Sequence, residues 1–237
     1  MLIKNFSAFE PVLTDINFGC FLDTSILFAC SNPLDIFNEK AEEISKILYK
    51  NKIQTFSNIN VKLEFLDLQR RTLIPECICD FLEEIEEFDS KELETQLKLI
   101  KGKFKAYVNK DRQYKMQPNH IKDLRNVFNK NGPKEWDLFC HTYLKGKIGK
   151  AWDEAIELLN LKNLDTKESE PGLYLNSVPV WEDAIQIVEN FGLAPSDAMI
   201  LNIFKNSKIE ILITADREMA ETADAYLPSN KIIYLVE

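Results

Sequence analysis

Short apolar runs alternate along this chain with stretches whose apolar residues return every three or four positions. The runs Phe18–Asp23, Lys52–Phe56, Ile209–Ile213 and Lys231–Leu235 predict strands, and Leu173–Leu175 is a weaker candidate. Phe37, Ala41, Ile44 and Leu48 share one face of a helix over 35–50. Ile59, Leu63 and Leu66 do the same over 58–72, with Asn58 placed to cap it. Pro195 suits the first turn of a helix over 195–206 that aligns Ala198, Leu201 and Phe204. Strands alternating with helices predict an α/β fold with a mostly parallel central sheet of four to five strands.

Between 76 and 160 the pattern is helical, with no convincing strand. Breaks fall near Ser90, Gln117-Pro118-Asn119, Asn131-Gly132-Pro133, Gly146 and Gly149. The polar stretch Leu161–Gly172 reads as a loop. The expected organisation is a body made of 1–75 and 173–237, with a helical insertion and return loop over 76–172.

Charge changes this picture in one place. The 237 residues carry a net charge of −9, which argues against a nucleic-acid partner. The charge is uneven, however: −1 over 1–75, −8 over 76–94, +10 over 95–150 and −10 over 151–237. Within the basic segment, Lys98, Lys101, Lys103, Lys105, Lys110, Arg112 and Lys115 interleave with Phe104, Tyr107 and Tyr114. Cations among aromatic rings suit phosphate contacts with base stacking on a single strand. The competing reading is a helix packed through Leu97, Phe104 and Val108, with its lysines simply solvated. Trp136, Trp152 and Trp181 lie in amphipathic patterns and are expected in the core.

Five cysteines, an odd number with Cys77 and Cys79 closely spaced, indicate reduced thiols. No apolar run is long enough for a membrane span, and the start has no unbroken apolar stretch of the signal-peptide kind. A cytoplasmic protein is the expectation.

Four carboxylates occupy unusual positions. Asp23 ends an apolar strand, and Asp216 follows another. Asp197 sits in a helix first turn, and Glu64 interrupts the apolar stretch Val61–Leu66. Ligands of parallel sheets bind beyond the carboxyl ends of strands, at a topological switch point. Taken singly, each acid has a simple structural role as cap, first-turn acid or solvated helix residue. Converging acids would instead repel one another unless a hard divalent cation, which prefers oxygen ligands, offsets them. No His/Cys cluster has zinc spacing. His120 and His141 read as surface or packing residues, and Cys77-x-Cys79 as partly buried thiols.

In this order the motifs resemble the PIN-domain family. Phe21-Leu-Asp-Thr-Ser-Ile-Leu27 resembles its opening strand and first aspartate. Ser57–Glu64 resembles the segment bearing its glutamate, and Pro195-Ser-Asp-Ala-Met-Ile-Leu201 the helix start with the third acid. Ile211–Met219 resembles the last strand with its Thr-x-Asp motif. Glu218 stands where many relatives carry a further Asp, and is read as a surface residue. The resemblance covers roughly 15–75 and 173–237.

The resemblance implies a three-layer α/β/α body and a Mg²⁺- or Mn²⁺-dependent nuclease, often an endoribonuclease, leaving 5′-phosphate and 3′-hydroxyl ends. It implies Asp23, Asp197, Asp216 and Glu64 as metal-binding and catalytic residues, with Thr24, Ser25 and Thr214 as hydroxyls that orient them. RNA is the implied substrate, and an antitoxin-like inhibitor protein is a partner known in the family. The long insertion argues against a standard toxin. A homodimer is a further expectation that no residue pattern carries. The alternative is a non-catalytic RNA- or protein-binding module on the same fold. Two other aspartate sites fail on sequence. A phosphatase would need a second Asp where Ser25 stands, and an adhesion-type metal site would need Ser where Leu27 stands.

Overall fold

The computed structural model describes residues 1–85, 87–88, 90–132, 134–164 and 173–237. The chain begins with β1 (Leu2–Ile3), α1 (Phe6–Val12), β2 (Cys20–Leu22), α2 (Thr24–Ser31), α3 (Asn38–Lys50) and β3 (Thr55–Asn58). The helices α4 (Ile59–Glu84), α5 (Lys91–Val108), α6 (Pro118–Asn131) and α7 (Glu135–Phe139) follow. After a short π-helix, Cys140–Leu144, come α8 (Lys147–Leu159) and β4 (Leu161–Leu164). The last elements are α9 (Trp181–Phe191), α10 (Pro195–Asn206), β5 (Ile211–Thr214), α11 (Arg217–Tyr226) and β6 (Ile232–Leu235).

The chain divides into two compact units. The first contains 1–33, 37–65 and 154–237; the second contains 34–36 and 66–153. The boundaries fall inside α4 and α8.

In the first unit, six strands form one sheet in the order β1-β6-β5-β2-β3-β4, and every pairing is parallel. Every residue of β2, β3 and β5 is buried. Strands covered on both faces favour continuous apolar runs, and Cys20-Phe-Leu22 and Ile211–Thr214 are of this kind. Phe21 meets Phe204 of α10 at 6.0 Å between ring centroids, tying the sheet to that helix. Pro195 begins α10 as the sequence predicts, and Asn58 caps α4 by accepting a hydrogen bond from the Val61 amide at 3.0 Å.

Five features differ from the sequence reading. The sheet has six strands rather than four to five, because β1 and β4 join its edges. Two residues are too few for periodicity to mark β1. In β4 the buried residues are only its ends, Leu161 and Leu164, around exposed Lys162 and Asn163. The expected Leu161–Gly172 loop therefore opens with a strand; its remainder, including Glu170-Pro171-Gly172, lies outside the described residues. Leu173–Leu175 makes only an isolated bridge, Leu175 to Ser207. Trp136 and Trp152 are buried as expected, but Trp181 is 64% exposed at the start of α9. The helix expected over 58–72 runs on to Glu84.

The second unit is helical among its described residues and has its own core. Ile74, Cys77 and Ile78 of α4 pack with Leu93 and Leu97 of α5, and with residues of α6 and α7 that include Phe128 and Phe139. Ser90 caps α5 through the Leu93 amide at 3.3 Å. All five cysteines are unpaired. Among the described residues, no helix is long and apolar enough to cross a membrane.

Candidate functional site

After β2 the chain moves to β3 on one side, and after β5 to β6 on the other. The boundary between β2 and β5 is therefore the switch point, beyond whose strand ends ligands of parallel sheets ordinarily bind. Asp23 directly follows β2, and Asp216 lies two residues beyond β5.

The two strand ends are bound together by side chains. Thr214 Oγ1 donates to Asp23 Oδ2 at 2.9 Å, and Ser25 Oγ donates to the same oxygen at 2.8 Å. The Ala215 amide donates to Ser25 Oγ at 2.9 Å, and the Asp216 amide to Thr214 Oγ1 at 2.9 Å. Asp23 caps α2, and Asp216 caps α11 through the Met219 amide at 2.9 Å. The structural roles open to these acids are thus filled, and at Asp23 capping does not account for the burial. This carboxyl is only 3% exposed, and its protonation is favoured by burial against the hydrogen bonds it accepts from Ser25 and Thr214.

Glu64 reaches this group through Thr24, whose Oγ1 donates to Glu64 Oε2 at 2.6 Å. Asp197 lies in the first turn of α10. Burial pushes its pKa up to about 7, helped by the charges of Glu64, Asp23, Asp216 and Glu218. The charges of Glu64, Asp23 and Asp216 thus all reach Asp197, while Ser25 and Thr214 bond Asp23 and Thr24 bonds Glu64. Glu218 is exposed as expected, yet its charge reaches Asp197.

Asn60 is the residue sequence reasoning passed over. It precedes Glu64 by one helical turn on the same face of α4. Its Nδ2 is buried with no hydrogen-bond partner among the described residues. The i, i+4 spacing to a candidate acid was the signal available in the sequence.

By residue type, carboxylates backed by hydroxyls fit a hard cation with oxygen ligands. Among the described residues, however, no three His, Cys, Asp or Glu side chains are gathered so that they could hold one metal ion as they stand. Direct ligation by three of them would require side-chain rotation.

The raised pKa of Asp197 has a measurable consequence. A carboxyl that titrates higher when folded binds its proton more tightly in the native state. Its contribution to stability is complete below the unfolded value, near 3.8, and is lost as pH rises through about 7. In metal-free protein, raising pH from 5 to 8 should therefore lower the melting temperature more in the wild type than in Asp197→Asn. Parallel pH profiles for the two proteins would show that Asp197 is not under this strain.

The predicted basic residues lie in the second unit, and several are already paired. Lys98 pairs with Glu94, Lys101 with Glu83 at 3.4 Å, and Lys115 with Asp35 at 3.1 Å. Leu97 is buried and Phe104 packs against the core, as the helix-packing reading expects. Lys103, Lys105, Lys110 and Arg112 are exposed and make no ion pair among the described residues.

Comparison with family models, with curated proteins and with solved structures finds no match to this chain. The functional reading accordingly rests on the residues and their geometry.

Proposed function

We propose that this chain is a divalent-metal-dependent ribonuclease built on a three-layer, PIN-like α/β body. The observation that carries the reading is the hydrogen-bonded link of Asp23 to Thr214 across β2 and β5, beside an Asp197 that burial and the charges of Glu64, Asp23 and Asp216 push up to about 7. Such repulsion gives the fold nothing by itself, and a carboxyl raised by burial and neighbouring acids is a candidate for function.

Asp23 and Asp197 would hold Mg²⁺ or Mn²⁺, and Asp216 would complete the set. Such an ion supplies a nucleophilic water of lowered pKa and offsets phosphate charge. Thr214 and Ser25 fix the Asp23 carboxylate through its Oδ2, so that it need not reorganise. Thr24 holds Glu64, which can accept a proton from the attacking water.

The test is cleavage of single-stranded RNA by the full chain with Mn²⁺ or Mg²⁺, against the same reaction in excess EDTA. Cleavage that stops in EDTA and returns with metal is expected. A rise in melting temperature with millimolar Mn²⁺ should accompany it, since the ion would bind only the folded site. Full activity in EDTA, or no cleavage under either metal, would remove the proposal and favour a binding module.

A further inference from the structure

The second unit contains a groove of about 760 Å³ that is separate from the acidic cluster in sequence and in lining. This volume falls within the ~300–1,000 Å³ of ordinary ligand pockets. One wall is the segment 34–36; the others come from α5 and from the stretch that leads into α6. Lys103, Tyr107, Arg112 and His120 line it, and all four side chains are exposed.

The lining residues differ in what they already do. Lys115, also in the lining, is committed to Asp35. Lys103 and Arg112 make no ion pair among the described residues. Tyr107 is 46% exposed, and its ring lies 5.2 Å from that of buried Tyr114 at an angle of 51°. Tyr114 thus steadies Tyr107 from one side, which keeps an aromatic surface open to the groove. An exposed, supported ring beside two unpaired cations suits a ligand that offers both flat rings and phosphates. A simple polyanion would satisfy the cations alone and leave the ring bare.

We infer that this groove binds single-stranded nucleic acid, with Lys103 and Arg112 on the phosphates and a base stacked on Tyr107. Taking that strand to be RNA rests on the ribonuclease reading above; the groove itself does not. Of the seven basic residues that the sequence singles out, the binding role then falls mainly to these two. Lys98, Lys101 and Lys115 are occupied by carboxylates.

The test is fluorescence anisotropy of a labelled single-stranded oligoribonucleotide with the full chain in EDTA. Tyr107→Ala should weaken binding at least about fivefold, the loss of one stacked base. The pair Lys103→Ala/Arg112→Ala should weaken it further. It should also flatten the log–log salt slope by about 1.4, two phosphate contacts at about 0.7 each for a single strand. All three positions are exposed, and unchanged melting temperatures will show that the variants fold. Unchanged affinity in either variant overturns the inference. Equal displacement of the oligonucleotide by inorganic polyphosphate from wild type and Tyr107→Ala also overturns it, by showing an anion site only.

The two proposals fail separately. Metal-dependent cleavage with binding indifferent to these variants would remove the groove and leave the nuclease. Binding lost in the variants of a protein that cleaves under no metal would leave the groove and remove the nuclease.

Discussion

Asp197→Asn is expected to reduce metal-dependent RNA cleavage by at least about a hundredfold while making the metal-free protein more stable at pH 8. The two effects have one cause. At pH 8 the Asp197 carboxyl, pushed up to about 7, is held ionised against burial and against the charges of Glu64, Asp23, Asp216 and Glu218. An amide removes that repulsion. It also removes an anionic oxygen that would hold the metal and offset the phosphate. Losing roughly 3 kcal/mol of transition-state stabilisation corresponds to about two orders of magnitude in rate. Gains in stability bought by removing a site's strain, with loss of activity, are the expected signature of a functional cluster. The check is paired: initial rates with Mn²⁺, and thermal melting in EDTA. A variant that loses stability, or one that keeps its rate, would make Asp197 an ordinary first-turn acid of α10.

Gly19→Ala should be the most damaging small substitution near the site. Gly19 leads into β2 with φ at +124°, a conformation costly for any residue with a Cβ. A Cβ built there would lie 2.0 Å from the Gln54 carbonyl oxygen. That oxygen is backbone, and it accepts the Cys20 amide at 3.0 Å where β2 and β3 begin to pair. Relief requires the strands to separate at their start, and these strands carry Asp23 and Asn58. Backbone strain of this kind costs about 1–3 kcal/mol before the clash is counted. A loss of roughly 3 kcal/mol or more is therefore expected, in the range of exceptional single mutations. Gly102→Ala is the control. It lies within α5, and a Cβ there meets nothing within 4 Å. It should stabilise by about 0.5–1 kcal/mol through helix propensity. Urea midpoints of the two variants, moving in opposite directions from the wild type, are the measurement. A Gly19→Ala midpoint near the wild type would mean that the β2 entry can shift without cost.

The elements that the sequence marks most clearly are those whose side chains are buried on every side. Phe21 and Leu22 in β2, and Ile211 to Ile213 in β5, leave no polar position to blur the run. The helix from Pro195 is equally plain, because proline fixes its first turn. The edge strands are obscure for the opposite reason. Lys162 and Asn163 of β4 face solvent, and its neighbour relation to β3 spans more than a hundred residues. Trp181 misleads because an amphipathic pattern says that one face is buried without saying which residues that face spares.

The candidate site divides along the same line. Acid identities and their places at strand ends and helix starts are local properties, so Asp23, Glu64, Asp197 and Asp216 could be singled out from the chain alone. The links between them are not local. They depend on β2 and β5 pairing in register, on Thr214 reaching Asp23, and on Thr24 reaching Glu64 across forty positions. The same holds for the basic segment. Its charge of +10 is written in the sequence, but which cations remain unpaired is set by where Glu94, Glu83 and Asp35 come to lie. Local chemistry chose the residues of this protein; long-range pairing decided which of them meet, because only the folded backbone brings distant side chains within reach of a hydrogen bond or a shared charge.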